Sequence, residues 1–459
     1  MPNSVCYNDD YPVIRVSDEW YGRALDLIPA ATQTLAKGPG QFVKGVAPKF
    51  VCRGKGARVW DVDGNEYLDL NMAVGPVILG YGDSDVDDAI REQLRDGISF
   101  SLVHPLEVEV AERIHQLVPN AEMVRFAKSG AEVTSAAVRL ARAYTGRDKV
   151  VCCGYHGWHD WYISVTDRNR GVPEATRDLT YTFEYDDLAS LVECLDEDVA
   201  CVILEPVTVQ IPSPNFFQNL QTLCQRNGSL LIFDEMWTGF RIALGGAQQY
   251  FDVKPDLACF SKAVANGMPI SVLTGRRDVM RLLDRDVFFF STFGGETLSL
   301  AAARATIDKL RATDALEYIA RLGVKLRDGL AEIADTLDMP YLRSIGLAYR
   351  TMVTFDPEVC DALLAKSLLQ QELIRRGILW SGFHTLSAAH TDSDIEYVLD
   401  AYRDALPILR DAIANDFLPN SLRGEKLEPV FRRTSLFHTK PKKAQHPDTA
   451  AHTIQPSSR

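Results

Sequence analysis

Between residues 123 and 307 the chain repeats one pattern: a short apolar run, then polar residues at once, then a stretch with helical spacing. Short runs that are apolar at every position belong to strands covered on both faces, and such strands pair in parallel within a sheet flanked by helices. LLIFDEMWTGFR (230–241) and LACFSKAVANGMPI (257–270) show the pattern most clearly, because the first run ends at Asp234 and the second leads into Lys262. Strands of an open parallel sheet deliver such side chains to its carboxyl edge, where ligands bind. A single acid or lysine at a strand end is common and usually solvated, so the pair draws its weight from its companions.

The companions follow in order. MVRFAKSGAEVTSAAVRLARAYTG (123–146) predicts a strand, a tight turn at Ser129 and Gly130, and a helix with apolar Val133, Ala136, Val138 and Leu140. Backbone N–H groups at such a helix start, at the positive end of its dipole, suit a phosphate. DKVVCCGYHGWHD (148–160) predicts a strand ending in Gly154, Tyr155 and His156, which puts an aromatic ring where a planar group can stack. ACVILEPV (200–207) is a further strand closing on Glu205, and FFFSTFGGETLSLAAARATI (288–307) offers the hydroxyls of Ser291 and Thr292, two glycines and a helix of small residues. An amine, a carboxylate, a phosphate site and a stacking ring together match pyridoxal phosphate. That cofactor needs a lysine to hold its aldehyde as a Schiff base and an acid to keep its ring nitrogen protonated.

The ordered segments SGAE, GYHG, LEPV, FDEMWTGFR, SKAVANGMP and STFGGETLS resemble the class III aminotransferases of pyridoxal phosphate fold type I, and particularly the glutamate-1-semialdehyde aminomutase branch, from about Ala30 to about Leu409. The resemblance implies an α/β fold, with a large domain built on a mostly parallel sheet between helices and a smaller α+β domain from the N- and C-terminal segments. It implies Lys262 as the Schiff-base lysine, Asp234 as partner of the pyridine nitrogen and Tyr155 stacked on the ring, these three being the catalytic residues. Ser129, Gly130 and Ala131 would bind the phosphate. His156 would lie beside the cofactor, Glu205 toward the substrate side, and Met236 against the ring where the family commonly has valine. Thr292 would reach the phosphate of the neighbouring subunit, making the active unit a homodimer with shared sites.

The implied activity is transfer of an amino group from a small-molecule donor, L-glutamate, to a carbonyl acceptor, a keto- or aldehydo-sugar of polysaccharide or secondary-metabolite biosynthesis. Two departures bear on the aminomutase alternative. IPAATQTLAK (28–37) carries Lys37 where aminomutases have an arginine for a substrate carboxylate, and LWSGFHTLSAAHTDSDI (379–395) lacks the glutamate they carry there. Lysine replaces a bidentate arginine poorly. Intermolecular transfer is therefore the first reading and intramolecular aminomutation the second. A non-catalytic binding protein of the same fold comes third, disfavoured by the presence of Lys262, Asp234 and Tyr155 together.

A net charge of −13, from 62 acidic and 49 basic residues, argues against nucleic acid as a partner. No run is long and apolar enough to span a bilayer, and the first residues lack the pattern of a secretion signal, so no membrane partner is expected. Nine cysteines, an odd number without a CxxC pair, suit core thiols in a reducing cytoplasm rather than disulfides or a metal site. Four regions are expected: 1–75, an N-terminal segment with a hairpin around Asp63 and Gly64 that contributes to the small domain and the substrate side; 76–320, the large cofactor-binding domain; 321–415, the C-terminal small domain; and 416–459, a disordered tail. Trp158, His159 and Trp161 read, with His156, as packing and hydrogen-bonding groups rather than metal ligands. His384 is a candidate substrate contact, His390 a structural residue, and the KPKK run near residue 442 a solvated patch.

Overall fold

A computed structural model describes residues 10–428. Its largest sheet among the described residues has seven strands, which we number β1 (Met123–Ala127), β2 (Lys149–Cys153), β3 (Thr180–Thr182), β4 (Val199–Leu204), β5 (Leu230–Asp234), β6 (Leu257–Phe260) and β7 (Ser271–Gly275). The spatial order is β1-β7-β6-β5-β4-β2-β3. From β3 through β6 every pairing is parallel, whereas β7 runs antiparallel to both β6 and β1. A parallel return needs a crossover of a dozen or more residues. The link 261–270 is too short for one, and it carries Lys262. Every residue of β4 and β5 is buried, which explains the apolar runs VACVIL and LLIF and leaves Asp234, the last residue of β5, as a buried acid.

The helix α1 (Gly130–Thr145) shows why the sequence pattern was readable. Ser129 caps its first turn by accepting from the Glu132 N–H, and the Glu132 carboxylate accepts in return from the Ser129 N–H at 2.6 Å. Gly146 ends the helix with φ +68°. Val133, Ala136, Ala137, Val138, Leu140 and Ala141 are buried on it and pack in one cluster with β2, β5 and β6.

The N- and C-terminal segments share their sheets. Val51–Lys55, Arg58–Asp61 and Glu66–Asp69 form an antiparallel meander that includes the hairpin at Asp63 and Gly64, and Ile378–Leu379 joins it parallel to Glu66–Asp69. Leu342–Ile345, Arg350–Phe355 and Phe383–Thr385 make a three-stranded antiparallel sheet. It lies with the helices Ala315–Thr336, Ala362–Arg375 and Asp392–Ala414.

The first part of the expected tail is tied to the rest of the chain. Residues 416–428 contain the short helix Leu418–Ser421, and Leu418 and Leu427 are buried. The Glu428 N–H donates to the Gly40 carbonyl at 2.9 Å, and Lys44 pairs with Glu428 at 2.7 Å. Leu427 packs with Val43, Val46 and Ala47 of the N-terminal segment, while the helix carrying Leu418 packs on the helices Ala362–Arg375 and Asp392–Ala414. Residues 429–459, with the KPKK run, lie outside the described residues. No helix among the described residues is long and apolar enough to cross a membrane. The eight described cysteines are free thiols, six of them buried.

Glu235, directly after β5, is fully buried and holds the following loop. It accepts from the Thr238 hydroxyl and from the N–H groups of Ala247 and Gln248 at 2.7 and 3.0 Å. It reaches them because Gly246, at φ +76°, has no Cβ; one there would stand 2.5 Å from Oε2. Burial pushes the Glu235 carboxyl up from 4.5 to about 7, against the lowering effect of these donors. Between those pH values the folded chain holds a proton that the unfolded chain has released, so this group's effect on stability becomes less favourable as pH rises, by roughly 3 kcal/mol in all. Denaturant unfolding of wild type and Glu235→Gln at pH 4.5 and 8 should therefore give a stability difference that shifts toward the variant at the higher pH. Parallel pH dependences would contradict this.

Candidate active site

Strand pairing brings the candidates together at the carboxyl edge of β2, β4, β5 and β6. Leu204 pairs with Phe233, and Asp234 with Cys259, so Glu205, Asp234 and the Lys262 turn emerge side by side. On the far side of β4, the Glu205 N–H donates to the Cys153 carbonyl, which sets Gly154, Tyr155 and His156 over the same edge.

Asp234 is 2% exposed. Its Oδ2 lies 2.8 Å from His156 Nδ1, and its Oδ1 accepts from the Met236 N–H at 3.1 Å. His156 is buried as well, with Nε2 3.2 Å from the Cys153 carbonyl. Burial pushes the Asp234 carboxyl above the ordinary carboxylate range, with His156 pulling it back and Glu205 adding to the rise. The Glu205 carboxylate accepts from the Tyr155 N–H at 2.5 Å. Lys262 opens the turn Lys262–Ala265 with φ +50°, a left-handed backbone that a non-glycine residue adopts rarely and at a cost.

Close approach at three glycines builds a cradle. A Cβ on Gly130 would stand 2.8 Å from Met236 Sδ, one on Gly157 2.6 Å from Ala131 Cβ, and one on Gly154 2.9 Å from Glu205 Cγ. Gly154 and Gly157 have φ of +110° and +103°, which favour glycine in any case. The α1 start, Met236 and the 154–157 turn thus converge on one space. Lys128 ties this region to the segment containing Thr292, through Glu296 at 2.8 Å and Ser299 at 3.2 Å.

Pyridoxal phosphate fits these residues: the α1 N-terminus for a phosphate, a buried carboxylate to face a ring cation, aromatic Tyr155 and apolar Met236 nearby, and a lysine delivered by the adjacent strand. Thr292 is the exception among the sequence candidates. It is exposed, and no hydrogen bond among the described residues links it to the others. His384 also departs from expectation. It is buried between the Thr351 hydroxyl (2.8 Å) and the Tyr402 hydroxyl (2.7 Å), and burial drives its imidazole down to about 3, so it is a core group and not a substrate contact. His390 is likewise buried and bonds to Ser387. His159 and Trp161 both bond to Ser135 of α1, whereas Trp158 is exposed.

Sequence reading missed the wall facing Lys262. Met72, Ala73 and Val74 have φ of +44°, +55° and +70°, and Gly75 follows at +103°. Arg241, completely buried, holds this turn by donating to the Gly75 carbonyl at 2.6 Å and to the Leu386 carbonyl at 2.9 Å. Burial, and then the neighbouring Arg350, lowers its guanidinium to about 9. Nothing in the residue string separates Arg241 from a surface arginine, since its partners are backbone carbonyls distant in sequence.

Comparison with known proteins agrees with this geometry. Residues 43–385 match the family model described as aminotransferase class-III. The chain is 36% identical over 401 residues to a 3-aminobutyryl-CoA aminotransferase of Cloacimonas acidaminovorans, covering 84% of this chain and 95% of that one. It is also 36% identical over 432 residues to a glutamate-1-semialdehyde 2,1-aminomutase of Desulfitobacterium hafniense, covering 86% and 98%. Among solved structures, the FumI protein of Sphingopyxis sp. MTA144 in its PLP internal aldimine form superposes with a TM-score of 0.81 at 29% identity, covering 88% and 99%. With its sheet order, its strand-end acid and lysine, and these relatives, the chain belongs to the class III aminotransferase family and is a pyridoxal phosphate-dependent aminotransferase of fold type I.

Proposed function

We propose that the protein moves an amino group from L-glutamate to a separate carbonyl acceptor, with a keto- or aldehydo-sugar as the acceptor class to test first, and that two chains complete each site. The observation carrying the assignment of roles is the buried Asp234 carboxylate, fixed by His156, beside the strand that delivers Lys262. When bound, pyridoxal phosphate supplies an electron sink for the charge left on carbon as a proton departs. Lys262 would anchor the cofactor covalently, and its amine, once released, would serve as the base that takes the donor's Cα proton. Asp234 holds a proton on the ring nitrogen by charge and hydrogen bond. Tyr155 and Met236 would bracket the ring, while His156 orients Asp234 and Glu205 orients the Tyr155 backbone. The Ser129 hydroxyl and the N–H groups of Gly130 and Ala131 would hold the phosphate.

Intermolecular transfer is favoured over intramolecular aminomutation because Lys37, at the place where an aminomutase carries its arginine, is exposed. A donor and acceptor screen separates the two. L-Glutamate should bleach the cofactor's visible band and a carbonyl compound should restore it, whereas 5-aminolevulinate formed from glutamate semialdehyde without any donor would favour the mutase.

Support for the shared site comes from the surface around Thr292. Phe288, Phe290 and Phe293 are 74%, 59% and 56% exposed, and Leu102 and Val103 are exposed nearby, in the segment that the Thr297 N–H fastens through the Ile98 carbonyl. An apolar patch of this kind suits burial against a second copy.

Two outcomes are expected. Lys262→Ala should retain cofactor non-covalently, show no borohydride-reducible bond to the chain and lose nearly all transamination; activity near wild type would overturn the assignment. Mixed dimers of Lys262→Ala and Thr292→Ala chains place both lesions in one site and neither in the other, so activity should recover toward half per dimer. No recovery despite demonstrated subunit exchange would mean that Thr292 serves its own chain or none.

A further inference from the structure

Strand β1 and helix α1 hold a second segment of the chain, 288–296, along its whole length. The Arg139 guanidinium of α1 donates to the Phe288 carbonyl at 2.8 Å, and that of Arg125 in β1 donates to the Phe289 carbonyl at 2.7 Å. A Cβ on Gly294 would stand 3.0 Å from the Phe126 carbonyl oxygen, so glycine lets the returning backbone lie against β1. At the far end Lys128 Nζ pairs with Glu296 at 2.8 Å and donates to the Ser299 hydroxyl at 3.2 Å. Between these fastened ends Ser291, Thr292 and Phe293 are exposed and form a crest. The Gly294 N–H donates to the Ser291 carbonyl at 3.1 Å and the Glu296 N–H to the Phe293 carbonyl at 3.2 Å, which closes the backbone beneath it.

The Lys128–Glu296 pair is well shielded, with side chains 21% and 13% exposed, and a charge-assisted hydrogen bond in such a place is among the stronger ones a chain can make. Glu296 also caps the helix Thr297–Ala312, accepting from the Leu298 N–H at 2.6 Å. Burial raises its carboxyl, but Lys128 and then Ser299 outweigh burial and hold it below the ordinary range. One carboxylate therefore joins the end of the crest to a helix start on one side and to Lys128 on the other. Lys128 directly precedes Ser129, and a lysine beside a phosphate site is ordinarily expected to lend its charge to that phosphate. Here the ammonium is committed to a carboxylate and a hydroxyl of another segment, the one that carries Thr292.

We propose that Lys128 is a positioning residue that acts on the neighbouring subunit's cofactor rather than on that of its own chain. By holding Glu296 it sets the height and direction of the crest, so that the Thr292 hydroxyl is presented to the phosphate of a second copy. A hydroxyl offered from a fixed loop loses less entropy on meeting its acceptor than one on a loose loop, so the ion pair strengthens phosphate binding without touching the phosphate. The inference rests on the shared-site reading above.

Lys128→Met should bind pyridoxal phosphate about tenfold more weakly, while its affinity for pyridoxal, which has no phosphate, stays within about twofold of wild type. Subunit mixing decides where the lysine acts. In a heterodimer with Lys262→Ala, the Lys128→Met chain keeps its own Lys262 and receives the 288–296 segment of a chain whose Lys128 is intact. Cofactor retention should return at that site. After dialysis, borohydride reduction and mass spectrometry should find the pyridoxyl label on the Lys128→Met chain at several times the level in that variant's homodimer; the Lys262→Ala chain has no lysine there to label. Thr292→Ala mixed in the same way is the control. If it regains label and Lys128→Met does not, Lys128 serves its own site and the proposal falls while shared sites stand. If neither regains label although exchange is demonstrated, the shared-site reading falls and takes the proposal with it. Wild-type retention by the Lys128→Met homodimer, or an equal loss of pyridoxal phosphate and pyridoxal, would also overturn it. Should Lys128→Met fail to fold, Glu296→Gln keeps an acceptor for the helix cap, removes the charge and should give the same pattern of loss and rescue.

Discussion

A carboxylate at the end of a strand buried along its whole length must be compensated where it stands, and the surroundings of Asp234 show how much of the molecule that requires. Water cannot reach it, and the penalty for an isolated charge in such a place is several kcal/mol or more. The Met236 N–H and the His156 ring meet its two oxygens. His156 is in turn placed by the turn after β2, where Gly154 and Gly157 fold the backbone tightly against Glu205 and Ala131. Thr134 of α1 donates to the His156 carbonyl at 2.8 Å, so the helix start that suits a phosphate and the histidine that orients the acid belong to one hydrogen-bonded unit.

The opposite wall depends on strained backbone held by buried polar groups. Lys262 and the run Met72–Val74 are left-handed without being glycine, and each such residue costs on the order of 1–3 kcal/mol. Arg241 spans the molecule between the carbonyls of Gly75 and Leu386, and Asn266 bonds to the Leu79 N–H at 2.9 Å and the Gly80 carbonyl at 3.0 Å. These ties fix residues 75–80 and the chain at Leu386 to the loops that carry Arg241 and Asn266, so this part of the chain stands against the Lys262 turn.

Much of this was legible in the residue string because it depends on local chemistry. The apolar runs of β4 and β5 announced a covered parallel sheet, Ser129 and Gly130 announced a helix start, and the polar residues at each strand end announced the edge that carries Asp234 and Lys262. What escaped depends on distant partners. Lys128 and Glu296 are paired from distant parts of the chain, and Arg241 is buried against carbonyls that no pattern reveals. The ordering of residues 416–428 turns on Leu418 and Leu427, too few to produce a periodic signal. His384 looked available because it adjoins a loop, whereas Thr351 and Tyr402 enclose it. Thr292 is exposed and stays apart from the other candidates, so the role proposed for it rests on a second copy of the chain.

The most direct measurement is the protonation of the cofactor's ring nitrogen. Enzyme reconstituted with pyridoxal phosphate carrying 15N in the ring should give, near neutral pH, the shift of a protonated pyridine nitrogen, and Asp234→Asn should move it to that of the unprotonated ring. A nitrogen that is unprotonated in the wild type, or one whose shift is indifferent to residue 234, would contradict the role assigned to this buried carboxylate.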